Sequence, residues 1–124
     1  MALARSKPGE LNYGTGGNGS AAHLATEYLK MVSKTFIVHV PYRGAAPAIN
    51  DLIANQTQVG FPGAPVANPF IKGGQVRAIA VSSTKRLDVL PDVPTVAESG
   101  YPDFEADQWY GVVAPAGTPP EIVR

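Results

Sequence analysis

The sequence predicts an α/β domain with a mostly parallel sheet and helices on both faces. Strand-like and helix-like patterns alternate along the chain with short connections, the pattern that parallel sheets produce. A β-branched run at 36–40 stops at a proline, and a glycine-rich stretch at 14–20 opens directly into a helical pattern. The length of 124 residues (13.0 kDa) fits one domain with a real hydrophobic core.

The first strand and helix flank the glycine-rich stretch. Residues 11–13 form a short strand candidate before it. The helix begins near Ser20, because Leu24, Tyr28 and Met31 recur at helical spacing on one face. We therefore expect a strand–loop–helix unit in which the glycines form the turn.

The middle of the chain repeats this order twice. Residues 36–40 predict a strand that ends before Pro41, and 45–54 predict a helix that tolerates a proline in its first turn. A short strand at 58–61 follows and is ended by Pro62. A short helix is predicted at 65–71.

The last third is apolar but punctuated by prolines. Residues 76–82 are mostly apolar with little alternation and predict a strand buried on both faces, and 108–114 predict a last strand. The segment 115–124 starts as a Pro-rich linker and ends in a helix start. We divide the chain into a flexible segment at 1–10, one domain at 11–114, and the linker at 115–124.

Composition excludes several classes of protein. A hydrophobic fraction of 44% with 16% charged residues indicates a globular chain, and ten basic residues balance ten acidic ones, so no nucleic-acid partner is expected. The absence of cysteine excludes disulfides, thiolate catalysis and Cys-ligated metals. No apolar run reaches membrane-spanning length, and the N-terminus lacks the pattern of a signal peptide. The chain as written is expected in the cytoplasm, or it is a piece of something longer.

The glycine-rich stretch is the best candidate for a site. Three loops follow strands, at 14–20, 41–44 and 62–65, and parallel strands bring such loops to one edge of the sheet. The loop 14–20 offers backbone N–H groups beside the positive end of a helix, where a carboxylate or phosphate binds well. The alternative is a simple turn in which Asn18 or Ser20 only caps the helix.

A dinucleotide site is the competing interpretation. Gly14, Gly16 and Gly19 match the G-x-G-x-x-G pattern, and Arg43 stands where a 2′-phosphate would need a cation. The expected acidic residue for the ribose is missing, and no Gly-Lys-Ser/Thr sequence follows to make a P-loop. This alternative implies a fragment of an oxidoreductase.

The two histidines predict neither a metal site nor a hydrolase. His23 lies one helical turn before Glu27, which most simply indicates a solvated pair. His39 lies within a strand and points either into the core or to the mouth of the site. No carboxylate stands at metal-ligand spacing, and Ser20 lacks the G-x-S-x-G elbow of a hydrolase. We expect no catalysis, metal or cofactor.

Five blocks of sequence together resemble the Bug-type solute-binding receptors of tripartite tricarboxylate transporters. The resemblance covers about residues 4–124. The blocks occur in order and are Leu11–Ser20, His23-Leu24, Val38–Gly44, Val76–Val81 and Leu90–Gly100.

The resemblance implies one lobe of a two-lobed periplasmic binding protein of type II-like fold. Residues 11–114 would be the second lobe, and 115–124 the return toward a first lobe. Such a receptor is periplasmic, binds a small organic carboxylate between its lobes and works with membrane transporter subunits. Gln58 and Pro62 depart from acidic residues that are frequent in the family. The implied ligand-binding residues are Thr15, Gly16, Gly17, Asn18, Gly19, Ser20, Tyr42, Arg43, Gly44, Ala45, Pro62 and Gly63.

A single lobe would also leave a surface uncovered. The segment 108–114 is apolar and uncharged, which is typical of a strand edge that pairs with another chain. We expect a homodimer through this segment. The third functional alternative is accordingly a truncated lobe that oligomerises without binding a ligand tightly.

Overall fold

The computed structural model describes residues 1–109 and 111–124. Three strands and five helices alternate over most of these residues. In chain order they are α1 (Ala2–Ser6), β1 (Asn12–Thr15), α2 (Ala21–Ser33), β2 (Val38–Pro41), α3 (Ala45–Ile53), β3 (Val59–Gly60), α4 (Ala64–Lys72) and α5 (Pro120–Val123).

The sheet is parallel and has β1 at its centre. The strand order is β2-β1-β3; Asn12 pairs with Val38 on one side, and Tyr13 pairs with Val59 on the other. Helix α2 joins β1 to β2, and α3 joins β2 to β3 in the opposite direction across the sheet. Because both crossovers are right-handed in proteins, the two helices must cover opposite faces.

Contacts from β1 confirm the helices on both faces. The Tyr13 hydroxyl donates to Glu27 of α2. The next residue, Gly14, faces α3, since a Cβ built on it would lie 3.5 Å from the Ala48 Cβ. Successive residues of a strand point to opposite faces, so α2 and α3 lie on opposite sides of the sheet. The predicted fold class is therefore confirmed.

The core is small and has Tyr13 at its centre. Tyr13 is fully buried, and Ile37, Ile49 and Phe104 are nearly so. The Phe104 ring stacks on Tyr28 of α2 at 4.9 Å between centroids, which attaches the late part of the chain to the sheet's helical layer. Burying large aromatic side chains supplies much of the stability of a domain of this size.

The early elements match the sequence predictions to within two residues. The strands expected at 11–13, 36–40 and 58–61 are β1, β2 and β3, and the helices expected at 45–54 and 65–71 are α3 and α4. The expected flexible segment 1–10 contains α1, whose Ala4 is buried and whose Arg5 donates to the Ser33 carbonyl and the Tyr101 hydroxyl.

The predicted strand at 76–82 is wrong. Only Val81 forms a bridge, with Thr95, and Ile79 is 78% exposed. The backbone here is occupied elsewhere, since Val76 N–H bonds to the Phe70 carbonyl at 3.3 Å and Val81 N–H to the Pro94 carbonyl at 2.9 Å. An apolar run without an adjacent strand has no ladder to join.

The predicted strand at 108–114 is also wrong for the residues described. No strand is assigned there; Trp109 is 85% exposed, and Val112 and Val113 are exposed as well. Tyr110 of that prediction lies outside the described residues. The helix start expected after 118 is α5. None of the helices in the described part of the chain is long and apolar enough to cross a membrane.

Candidate functional site

A cleft of about 110 Å³ lies at the carboxyl ends of β1 and β3. Its walls come from the ends of β1 and β3 and from the first turns of α2, α3 and α4. The lining residues are Gly14, Thr15, Gly16, Ser20, Ala21, Ala22, Ala45, Ala48, Ile49, Leu52, Gly60, Phe61, Pro62, Gly63, Val66 and Gln108. This is the edge where ligands bind in parallel α/β sheets.

The N-termini of three helices converge on this cleft. Helices α2, α3 and α4 have 13, 9 and 9 residues, and their N-cap residues are Ser20, Gly44 and Gly63. None of the three has an acidic residue in its first turn. The first N–H groups of each helix lack intrahelical acceptors, and the dipoles place positive potential there. The cleft is consequently complementary to an anion.

The glycine loop itself uses most of its N–H groups within the chain. Gly17 N–H donates to Thr15 Oγ1 at 3.2 Å, Gly19 N–H to His23 Nδ1 at 3.0 Å, and Ser20 N–H to the Gly17 carbonyl at 3.2 Å. At these three positions the N–H groups that the sequence offered to a ligand are bonded within the chain. The donors that remain at the cleft are the first-turn N–H groups, such as those of Ala21 and Ala45.

Two of the loops approach each other closely at the mouth. Tyr42 N–H donates to the Thr15 carbonyl at 2.9 Å, and Gly44 N–H to the Gly16 carbonyl at 3.2 Å. A Cβ built on Gly16 would lie 3.3 Å from the Gly44 carbonyl carbon. Glycine at position 16 thus lets the N-terminus of α3 reach the loop that precedes α2.

No side chain that lines the cleft carries a charge. Ser20 Oγ accepts the backbone N–H of His23 at 3.3 Å and caps α2, and Thr15 Oγ1 bonds to His39 Nε2 and to the Gly17 N–H. The remaining lining is aliphatic or aromatic, apart from Gln108. Such a site favours a carboxylate with an apolar body over a cation.

The structure brings half of the predicted site residues to the cleft. Those that line it are Thr15, Gly16, Ser20, Ala45, Pro62 and Gly63. The others lie behind or beside it: Gly17, Asn18, Gly19, Tyr42, Arg43 and Gly44. Arg43 is exposed to solvent, and the Tyr42 hydroxyl donates to Asp51 at 2.6 Å, which raises the pKa of Tyr42 through that hydrogen bond.

The sequence interpretation missed the apolar wall of the cleft. Ala48, Ile49 and Leu52 come from α3, and Val66 comes from α4. Helical periodicity marks these residues as apolar but does not tell which of them face a cleft rather than the core. Gln108 is the first residue of the strand that the sequence predicted at 108–114.

His23 does not form the solvated pair with Glu27 that the sequence predicts. The His23 ring stacks on His39 at 4.1 Å, and Glu27 instead bonds to Tyr13 and Lys30. Burial works against ionisation of Glu27, but the hydrogen bonds from Lys30 and Tyr13 lower its pKa overall. Across residues 1–109 and 111–124, no group of three or more potential ligands could hold a metal ion.

The geometry also weighs against the two enzyme alternatives. Gly14 lies inside β1, paired with Val40 and Gly60, so the three glycines are not all in the turn as a dinucleotide fingerprint requires. Ser20 Oγ is bonded to backbone N–H of His23 and not to its ring, so the nucleophile–base pair of a hydrolase is absent from this serine.

A larger depression of about 550 Å³ lies elsewhere on the molecule. It is open and is bordered by the end of α4 and the following loop, including Ile71, Val76 and Arg77. No helix N-terminus and no strand end contributes to it. We therefore place the site in the smaller cleft.

Comparison with known proteins shows the family to which the chain belongs. The whole chain, residues 1–124, matches the family described as "Tripartite tricarboxylate transporter family receptor". The chain belongs to this family. Its curated relatives include Protein BugT of Bordetella pertussis, which is 37% identical over 99% of this chain, and a UPF0065 protein of Pseudomonas sp. strain P51 from the tcbD-tcbE intergenic region, which is 40% identical over 100%.

Solved family members share the fold. A structure described as an R. palustris protein with adipate is 40% identical with a TM-score of 0.95, and covers 98% of this chain. The periplasmic binding protein BugD is 34% identical with a TM-score of 0.82 over 98% of the chain. This chain spans only 38% and 37% of the length of the two curated relatives and 41% of each of these two structures. It is thus a partial lobe of a periplasmic binding protein fold.

Proposed function

We propose that this chain serves as the second lobe of a periplasmic solute-binding receptor and binds the carboxylate end of a small organic acid, without catalysing a reaction. In the receptor it would deliver that acid to membrane transporter subunits. The observation that carries the proposal is the convergence of three helix N-termini on one uncharged cleft. A carboxylate placed there would accept first-turn N–H groups and lie at the positive ends of three dipoles.

The relatives indicate the class of ligand. The structure with adipate is similar to this chain at 40% identity, and another family structure, 28% identical with a TM-score of 0.75 over 84% of the chain, contains malate. The aliphatic wall of Ile49, Leu52 and Val66 suits the methylene chain of a linear acid such as adipate.

An NMR titration of the chain tests the proposal. Adipate should shift the backbone amides of Ala21, Ala22 and Ala45 first, because these lie at the cleft ends of α2 and α3. The diol of the same chain length, 1,6-hexanediol, is the control, since it has the apolar body without the charge. Equal shifts with both compounds, or shifts confined to residues 71–78, would contradict an anion site at the helix N-termini.

The isolated chain should bind weakly, with a dissociation constant no tighter than about 1 mM, which corresponds to about 4 kcal/mol. One lobe offers contacts on one side only and does not close to exclude water, and each exposed hydrogen bond contributes about 0.5–1.5 kcal/mol. Calorimetry with adipate, malate and citrate measures this constant. A micromolar value for a monomer would mean that this lobe alone is a complete site.

We also propose that the isolated chain forms a homodimer through the segment 108–114. Trp109, Val112 and Val113 are exposed and close together in sequence, and such a cluster is typical of an association surface. Sedimentation at micromolar concentration should show a dimer that Trp109→Lys dissociates. A 13.0 kDa monomer that the substitution leaves unchanged would contradict this surface.

A further inference from the structure

Three aromatic rings form a column beneath the glycine loop. The Tyr13 ring of β1 stacks on His39 of β2 at 4.8 Å between centroids, and His39 stacks on His23 of α2 at 4.1 Å. The two histidine planes differ by 12°, so the imidazoles lie face to face. Neither histidine lines the cleft. The column connects the centre of the sheet with the first turn of α2.

Each histidine is hydrogen-bonded to the loop 15–20. His39 Nε2 lies 2.6 Å from Thr15 Oγ1, which in turn accepts the Gly17 N–H at 3.2 Å. Gly19 donates its N–H to His23 Nδ1 at 3.0 Å. The two side chains therefore hold both the beginning and the end of the turn that leads into α2.

The bond from Gly19 fixes the protonation state of His23 in this arrangement. Because Gly19 N–H is a donor, His23 Nδ1 must be the unprotonated nitrogen of a neutral imidazole. A proton on Nδ1 would turn this acceptor into a donor that faces another donor. The bond between Thr15 Oγ1 and His39 Nε2 does not fix the protonation state of His39, since a hydroxyl both donates and accepts.

The charged groups that face the column are few. Glu27 and Lys30 of α2 bond to each other at 2.6 Å, and Glu27 also accepts the Tyr13 hydroxyl. Strand β1 contributes only the phenol of Tyr13, and residues 14–20 carry no charge. Burial lowers the pKa of His39, and the neighbouring His23 lowers it further, while Glu27 acts in the opposite direction. The Glu27 carboxylate is thus hydrogen-bonded to Tyr13 and Lys30, and burial favours the neutral state of His39.

We propose that His23 and His39 are positioning residues for the anion-binding mouth, and that protonation of His23 releases Gly19 and lowers the affinity for carboxylates. The inference rests on the carboxylate site proposed above. Gly19 has a φ of +76° and precedes the Ser20 cap, so its release disturbs the start of α2 and the Ala21 and Ala22 N–H groups. The positive charge on a protonated His23 would lie outside the cleft lining. Loss of the hydrogen bond from Gly19 N–H, in contrast, would act directly on the loop that forms the mouth.

The first measurement uses the ligand-free chain. In a pH titration, the Gly19 amide resonance should move at the same pH at which the ring nitrogens of His23 take up a proton, because that proton removes the acceptor of the Gly19 N–H. The amide of Gly74, a glycine also at positive φ but far from either histidine in sequence, is the internal control. A Gly19 amide that stays constant while His23 titrates overturns the proposal, whether or not any acid binds.

The second measurement is the adipate affinity at pH 7.5 and 6, for the wild type and two variants of His23. Asparagine places an amide oxygen near the position of Nδ1 and does not titrate, so His23→Asn should restore most of the affinity that His23→Leu loses. The ratio of wild-type to His23→Asn affinity should fall about three- to tenfold between the two pH values, as expected for the loss of one or two hydrogen bonds. Taking the ratio cancels any protonation of the acid itself.

These results separate the two proposals. Absence of adipate binding by every variant at both pH values contradicts the proposed function, and the Gly19 titration still decides the inference. Adipate binding with a constant ratio overturns the positioning role of His23. A ratio that rises on acidification also overturns it, since the histidine charge would then act by attraction.

Discussion

Two parts of the chain differ in how much regular secondary structure they contain, although both are rich in apolar residues. The first part runs from Gly9 to Lys72, and the second part follows Gly74. Among the described residues, the first part contains all three strands of the sheet and the helices α2, α3 and α4. The second part contains one isolated bridge and the four-residue helix α5. Apolar sequence therefore becomes a strand only where a neighbouring strand is available to pair.

The second part is held to the first by a few side chains. Phe104 is buried against Tyr28, Tyr101 accepts a hydrogen bond from Arg5, and Gln108 reaches the cleft. Its own local order comes from reciprocal bonds, in which Thr95 N–H donates to Glu98 and Glu98 N–H donates to Thr95 Oγ1. This region thus depends on the sheet, whereas the sheet depends little on it.

The largest expected effect comes from removing the centre of the first part. Tyr13→Ala should lower the free energy of unfolding by about 3–5 kcal/mol, because a fully buried aromatic ring leaves a cavity and Glu27 loses a donor. Urea unfolding measures the change. The control is Ile79→Ala, an exposed apolar residue of the second part outside the proposed dimer surface, which should stay within about 0.5 kcal/mol. Similar losses for both would remove the contrast between the two parts.

A smaller effect should come from detaching the second part. Phe104→Ala should cost about 3 kcal/mol or less and should accelerate amide exchange at Val81 and Val96 while exchange in β1 stays slow. Ile79→Ala is the control, since Ile79 is exposed. Equal acceleration in β1 would show that the two parts unfold as one unit.

The smallest effect is a pH dependence of stability. Burial lowers the pKa of His39, so the folded chain binds a proton less readily than the unfolded chain. Stability is therefore full above the ordinary histidine value of about 6.5 and falls as the pH drops below it toward the lowered pKa. Denaturant midpoints between pH 7.5 and 5.5 measure this decline, which His39→Gln should flatten. A midpoint that rises on acidification contradicts the sign.

The sequence predictions that were correct rest on local patterns. Ser20 caps α2 and the proline after 36–40 closes β2, because capping and strand termination depend on residues next to each other. The strand predicted at 76–82 failed because pairing depends on a partner far along the chain. The apolar wall of the cleft was missed for the same reason, because it depends on contacts between helices far apart in sequence.

The histidine column shows this limit at the candidate site. Sequence spacing paired His23 with Glu27, since they stand one turn apart on a helix. The observed partner, His39, lies on another element, and only the parallel pairing of β1 with β2 brings it beside α2. Which N–H groups of the glycine loop are free likewise follows from the fold, because Thr15 and His23 satisfy two of them.

The most direct test of the account is the adipate affinity of Ala21→Asp. Ala21 is exposed, lines the cleft and opens α2, so an aspartate there suits the helix dipole and leaves the fold intact, yet it puts a negative charge where the carboxylate should lie. Ala116→Asp in the exposed tail is the control with the same change in net charge. We expect Ala21→Asp to weaken adipate binding at least tenfold while Ala116→Asp matches the wild type. Unchanged affinity in Ala21→Asp, with α2 still folded, would contradict a carboxylate site at these helix N-termini.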